Sequence, residues 1–329
     1  LPIRCRPVLP KDVRKCVAIV AAHEVLGPRY GETLEYLPEA ILSLIGRDAF
    51  VAPVLEEVNG NSVRILGLAI ATFVTPQFLL ELKTPPFCWA TPELLRRMKR
   101  GESPILTDKQ LQEANSSRGL HLYVWHTGVS PEDNGRQEVQ SALVGEFIRL
   151  HRGYRMNELI EQAEGPENFR GMRLAGGMRV SPRDGRYEDY WEIGPVDVVK
   201  DPQLVGMTAD FANRMKTSWI STLFNYQPPR FGFTRSEQRL LVCALEGGTD
   251  EEISNRLCVS SSTVKKTWRN VYQRMDISRA PGLLQNPKCV EGKTARGKEK
   301  KNHLLAYLRE HPEELRPYSI RLLKRHAAC

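Results

Sequence analysis

Two Ser/Thr-x-x-Glu capping boxes in quick succession constrain the C-terminal third of this chain more than any other feature does. Thr234 with Glu237 opens the stretch RSEQRLLVCALEGG, where Leu240, Leu241, Ala244 and Leu245 share one helical face and Gly247 and Gly248 stop the helix. Thr249 with Glu252 opens EEISNRL, a helix of barely two turns anchored by Ile253 and Leu257. CVS then makes a tight connection. A third helix, over 261–275, carries Val264, Trp268, Val271 and Met275 as its inward stripe. Its other faces hold Ser261, Ser262, Thr263, Lys265, Lys266, Arg269, Asn270 and Gln273.

Charge points to the same region. Residues 1–230 contain 28 Lys and Arg against 28 Asp and Glu, whereas residues 231–329 contain 19 against 11, so the net charge of +8 is all C-terminal. Such an imbalance suggests an anionic partner, nucleic acid first. In a short helix, a tight turn and a following basic helix, the second helix suits the major groove, where residues near its N-terminus reach base edges and phosphates. Arg269 can bond guanine with both arms, Asn270 can read adenine, and Lys265 and Lys266 can neutralise phosphate or meet guanine.

The segment 233–275 resembles the LuxR/FixJ/GerE type of helix-turn-helix. The resemblance is carried by Thr234, Glu237, Glu246, Gly247, Thr249, Glu252, Ile253, Ser254, Ser260, Thr263, Val264 and Lys265. It implies a DNA-binding transcription regulator, commonly a homodimer on an inverted repeat. Two positions depart from the pattern: Cys258 stands where the turn usually has Gly, and Thr267 where His is frequent. A residue other than Gly held in the left-handed region costs about 1–2 kcal/mol.

Ahead of this segment, DVRKCVAIVAAHEVLG is amphipathic and helical, whereas SVRILGLAIATFV and LHLYVWHTGVSP are strand-like. QEVQSALVGEFIRLHRGY and YRMNELIEQAEG read as two helices, residues 171–191 as extended chain, and residues 205–224 as one long helix. The prolines of NYQPPRFG mark a linker over 225–232. The order of IRCRPVLPKDVRKCVAIVAA and HTGVSPEDNGRQEVQSALVGEFIRLHRGYRMNELIEQAEG is similar to that of the GNAT acetyltransferase fold. That resemblance implies a glycine-rich turn at a helix N-terminus whose backbone amides cradle the diphosphate of acetyl-CoA. In the corresponding stretch, Asn134 to Ser141, the second glycine is missing and Glu138 brings a negative charge.

The chain is therefore expected to pair an α+β (α/β-like) N-terminal sensor domain, residues 1–224 and GNAT-like in order, with an all-α helix-turn-helix domain over 233–279. A basic extension with one helix, 280–329, completes it. The expected partners are double-stranded DNA, a second copy of the chain and a small-molecule or protein effector. Tyr123, Trp125, Tyr190 and Trp191 are the candidate walls of an effector cavity. No catalytic constellation stands out: His121, His126 and His151 are scattered, and no phosphate loop or receiver-domain pattern occurs. The chain is thus expected to act without a cofactor, a metal or a chemistry of its own, with an acyltransferase fused to a DNA-binding domain as the alternative. The seven cysteines are widely spaced without a C-x-x-C pair, and no apolar run approaches the ~20 residues that span a bilayer. A cytoplasmic location is the expectation.

Overall fold

The computed structural model describes residues 3–60, 62–163, 165–188, 197, 200–215, 218–277, 297–319 and 322. The chain divides into two compact units, Leu1–Asn225 and Tyr226–Cys329. The first is built on one mixed sheet of strands β1 (Ile3–Pro7), β2 (Phe50–Val51), β3 (Pro53–Asn59), β4 (Ser62–Val74), β5 (Leu120–Val129), β6 (Met156–Gln162), β7 (Met178–Val180), β8 (Tyr187–Glu188) and β9 (Leu204–Thr208). The spatial order is β1-β3-β4-β5-β6-β9-β7-β8, with β2 pairing β4. Every pairing is antiparallel except β5 with β6. That parallel pair needs a crossover, supplied by α7 (Gln137–His151), which packs against β3 and β4.

The remaining helices of this unit are α1 (Val13–Ala21), α2 (Gly27–Tyr30), α3 (Thr33–Leu44), α4 (Pro76–Leu82), α5 (Ala90–Lys99), α6 (Asp108–Ser116), α8 (Pro166–Leu174) and α9 (Ala209–Arg214). Side chains alternate along β4, so Thr72 and Phe73 mark its two faces. Thr72 accepts a hydrogen bond from Trp125 Nε1, whose strand also bears Tyr123 under α5, while Phe73 stacks on Tyr154 just past α7. Helix α1 packs on β4 and β5, and α3 on α1 and α5. Along the chain, β1 is followed by α1 to α3, strands β2 to β4, helices α4 to α6, the bulged strand β5, the crossover helix α7 and the parallel strand β6.

Two sequence expectations fail in this unit. MNELIEQ lies at the centre of the sheet as β6 rather than in a helix, and it pairs with both β5 and β9. Residues with good helix propensity are overridden there because both edges of the strand find partners and alternate side chains enter the core. The long helix expected over 205–224 is β9, α9 and a 3₁₀ segment, Ile220–Phe224. Thr208 caps α9 by accepting from the Phe211 amide, so the chain changes from strand to helix within that stretch.

In the second unit every regular element among the described residues is helical: α10 (Arg235–Leu245), α11 (Asp250–Leu257), α12 (Ser261–Ile277), α13 (Gly297–Glu310) and the 3₁₀ segment Pro312–Leu315. Both capping boxes form, Thr234 with Glu237 and Thr249 with Glu252. Cys258 ends α11 at φ 53° and ψ 44°, a left-handed conformation that glycine would adopt without strain. One core joins Phe231, Phe233, Leu240, Leu241, Ile253, Val264, Trp268 and Val271 to Leu304, Leu308 and Leu315. Phe231 and the helix beyond residue 280 therefore belong to this core. Helix α13 reaches α12 and α11 through Lys301, which lies 4.8 Å over the Trp268 ring and 3.7 Å from the Asp250 carboxylate.

Candidate active site

The parallel pair β5–β6 runs from Leu120 opposite Met156 to Val124 opposite Glu161, with a register shift after Leu120 that skips Asn157. There the strands part. β5 continues to Val129 against β4 alone, and β6 ends at Gln162 opposite Leu204 of β9. The parting coincides with a bulge: Ala71 pairs Val124 and Ile70 pairs His126, leaving Trp125 as the extra residue. The two lips of the cleft are thus Trp125 on β5 and Gln162 on β6.

Both lips hold residues of the segment that enters α5. The Gln162 side chain accepts from the Ala90 amide (2.8 Å) and donates to the Cys88 carbonyl (3.3 Å). Thr91 donates to the Trp125 carbonyl (3.2 Å) and shares a hydrogen bond with the Tyr123 hydroxyl (2.7 Å). Ala90 and Thr91 are buried, so residues 88–91 floor the cleft on the α5 face. The 3₁₀ segment Ile220–Phe224 packs against α7 and β6. Tyr123 and Trp125, expected as walls of an effector cavity, are buried at the cleft with their polar atoms bonded to Thr91 and Thr72. Tyr190 and Trp191 lie outside the described residues.

Beyond the cleft, β5 leads into α7 through a turn held by charge. Asp133, almost completely buried, accepts from Ser130 (2.6 Å), Arg64 (2.5 and 3.0 Å) and Arg136 (2.8 Å), and its carboxyl is held down at about 2. Desolvation opposes that shift, and the hydroxyl and two guanidiniums outweigh it. Glu57 takes Arg64 at 3.2 Å and Arg136 at 3.3 Å. Arg136 also donates to Glu138 (2.8 Å), the second residue of α7. Gly135, at φ 92°, permits the reversal.

Acyl-CoA, the donor that the fold family implies, does not fit this turn. Gln137 carries an exposed side chain at the helix N-terminus, and the Glu138 carboxylate beside it, lowered by Arg136 and by its own amide, brings negative charge where a diphosphate would approach.

A second polar cluster lies farther back on the β5–β6 pair. Glu158, buried, accepts from Lys83 (2.8 Å) and Tyr187 (2.6 Å), with His121 Nδ1 at 3.4 Å. Burial pushes this carboxyl up, but His121, Lys83 and Tyr187 together hold it below its ordinary value. An ionised, fully engaged carboxylate anchors the end of α4 to the sheet and is a poor proton acceptor. The other two histidines are buried. His126 meets the His23 ring edge-on at 5.4 Å, and His151 bonds the Phe147 carbonyl (2.8 Å).

The sequence reading missed Thr91, Gln162, Glu57, Arg64, Lys83 and Glu158. Four of the seven residues of β6 are polar, so Glu158 and Gln162 do not stand out in the sequence, and their partners Lys83 and Ala90 lie 75 and 72 residues away, beyond any local pattern.

On the second unit, Ser261, Ser262, Thr263, Lys265, Lys266, Arg269, Asn270 and Gln273 are all exposed on α12. Ser260 caps the helix through the Thr263 amide (3.2 Å). Among the described residues, Lys265, Lys266 and Arg269 enter no recorded ion pair, whereas Arg274 is committed to Glu237 (2.8 Å).

Several solved structures similar to this chain are named as acetyltransferases. They include a GNAT-family acetyltransferase from Streptococcus pneumoniae (15% identity, 63% of this chain and 99% of that one, TM-score 0.35). A chimera of the spermidine N-acetyltransferase from Vibrio cholerae aligns at 11% identity over 64% of this chain and 99% of its own, TM-score 0.36. A polyamine N-acetyltransferase from Drosophila melanogaster aligns at 13% over 63% of this chain and 100% of its own, TM-score 0.31. No family model and no curated protein matches.

The first unit has a GNAT-like fold. Its strand order and its parting parallel pair carry that statement. Two expectations are corrected on this finding: that the chain is no enzyme, and that it is a LuxR-family transcription regulator with a sensor domain. Several solved structures that align with the first unit are named as acetyltransferases, and no family model matches the chain. Among the described residues, no helix is long and apolar enough to cross a membrane.

Proposed function

We propose that the first unit is a GNAT-like acyltransferase carried on the same chain as a helical unit that docks on a polyanion. The observation that carries the reading is the parallel β5–β6 pair parting at the Trp125 bulge, with α7 launched from the far end of β5. In the reaction proposed, an amine nitrogen attacks the carbonyl carbon of an acyl thioester. The C–N bond forms, the C–S bond breaks, and the thiol leaves with the proton that the amine gives up. The test is incubation of the full chain with acyl thioesters and a panel of amines, following free thiol and acylated product by mass spectrometry. Acceptor-dependent thiol release supports the reading; release no faster than in buffer with every donor and acceptor removes it.

For the second unit, double-stranded DNA is the partner favoured by the exposed and uncommitted Lys265, Lys266 and Arg269. If a cation of this face contacts phosphate, its replacement by Ala lowers the slope of log affinity against log salt by about 1. Arg269→Ala costs about 1–3 kcal/mol at a single base position if Arg269 reads a base. Salt-independent interactions throughout would refute the polyanion. Sedimentation of the chain with and without a duplex tests the accompanying proposal of a homodimer.

A further inference from the structure

The N-terminus of a helix that follows a strand is a general seat for anions, because its first amides lack partners inside the helix. At α7 part of that seat is taken. The Asn134 amide donates to the Pro131 carbonyl (3.3 Å), that of Arg136 to the Asp133 carbonyl (3.0 Å) and that of Val139 to the Arg136 carbonyl (3.1 Å). Among the described residues from Asn134 to Val139 this leaves the amides of Gly135, Gln137 and Glu138, the last two beside the exposed Glu138 carboxylate. The charges are spent as well: two guanidiniums, Arg64 and Arg136, face three carboxylates, Glu57, Asp133 and Glu138. The ion-pair lattice ties the turn to the β3–β4 hairpin and is net negative where an anion would approach.

We propose that this turn is a net-negative ion-pair lock that rejects a diphosphate, so that the acyl donor of this unit is a short thioester carrying no nucleotide. The inference rests on the acyltransferase reading and names the donor class for it. Gln137 and Glu138 are both exposed, so the lock can be opened at its surface without touching the core.

The experiment compares S-acetyl-N-acetylcysteamine with acetyl-CoA as donors for the full chain, and titrates coenzyme A calorimetrically into the wild type and a Gln137→Gly/Glu138→Gly variant. The wild type is expected to show no heat with coenzyme A at millimolar concentration and no gain in kcat/KM from the nucleotide. The variant is expected to bind coenzyme A and to shift its donor preference toward acetyl-CoA by about tenfold or more. Wild-type binding of coenzyme A tighter than about 0.1 mM overturns the proposal. So does a variant that folds, by circular dichroism, yet gains neither binding nor preference. If neither donor is turned over, the acyltransferase reading fails, while the two titrations still decide whether the turn is the lock.

Discussion

Glu314 should make the second unit lose stability as pH rises. Its carboxyl is completely buried and accepts from the Arg230 amide (2.7 Å), the Phe231 amide (3.2 Å) and the Tyr307 hydroxyl (3.2 Å). Burial pushes it up to about 7 despite those donors, with Glu313 beside it adding repulsion. Tyr307 and Tyr318 are the other titratable groups in electrostatic contact with it, and the Arg230 guanidinium acts on Tyr307. In the unfolded chain the same group titrates near 4.5. Between these values the folded protein holds a proton that the unfolded chain has released, so stability falls with increasing pH and levels off above the folded value. At 1.36 kcal/mol per unit the loss is about 3 kcal/mol.

All three donors reach Oε1, which Gln retains, and only the second half of the bifurcated Phe231 amide contact, to Oε2, is given up, so Glu314→Gln should abolish the slope. Hydrogen exchange of α10 peptides across pH 5 to 8, corrected for intrinsic rates, reads the effect. An unchanged slope in Glu314→Gln would refute the reasoning.

Three further outcomes are expected. Cys258→Gly relieves a left-handed residue and should stabilise the second unit by about 1 kcal/mol in urea denaturation, less the added freedom of glycine in the unfolded chain; a loss of stability would mean that the Cys258 side chain contributes packing. Gln162→Leu strands the Ala90 amide and the Cys88 carbonyl at a buried site, a cost of about 1–3 kcal/mol for each group left unpaired. The floor of the cleft should then open more often and the Cys88 thiol react faster with iodoacetamide, an unchanged rate counting against that floor. Trp268→Ala removes the ring that carries Lys301 and bonds Asp250, and should cost about 3–5 kcal/mol; a loss below about 1 kcal/mol would show that α13 does not need it.

The features legible before folding are local. Thr234 with Glu237, Thr249 with Glu252, and the stripe of Val264, Trp268 and Val271 each act within a few helical turns, and each stands in the structure as the spacing requires. β4, β5 and α7 were legible for the same reason, as long apolar or amphipathic runs. The tertiary structure alone decided the rest. MNELIEQ became a central strand because β5 and β9 offered its backbone two ladders, against the helical propensity of Met, Glu and Leu. Glu158 met Lys83, Gln162 met Ala90, and Glu314 met Arg230 across 75, 72 and 84 residues. Such pairs leave no periodic trace, because loop closure brings them together and periodicity registers only neighbours on one element.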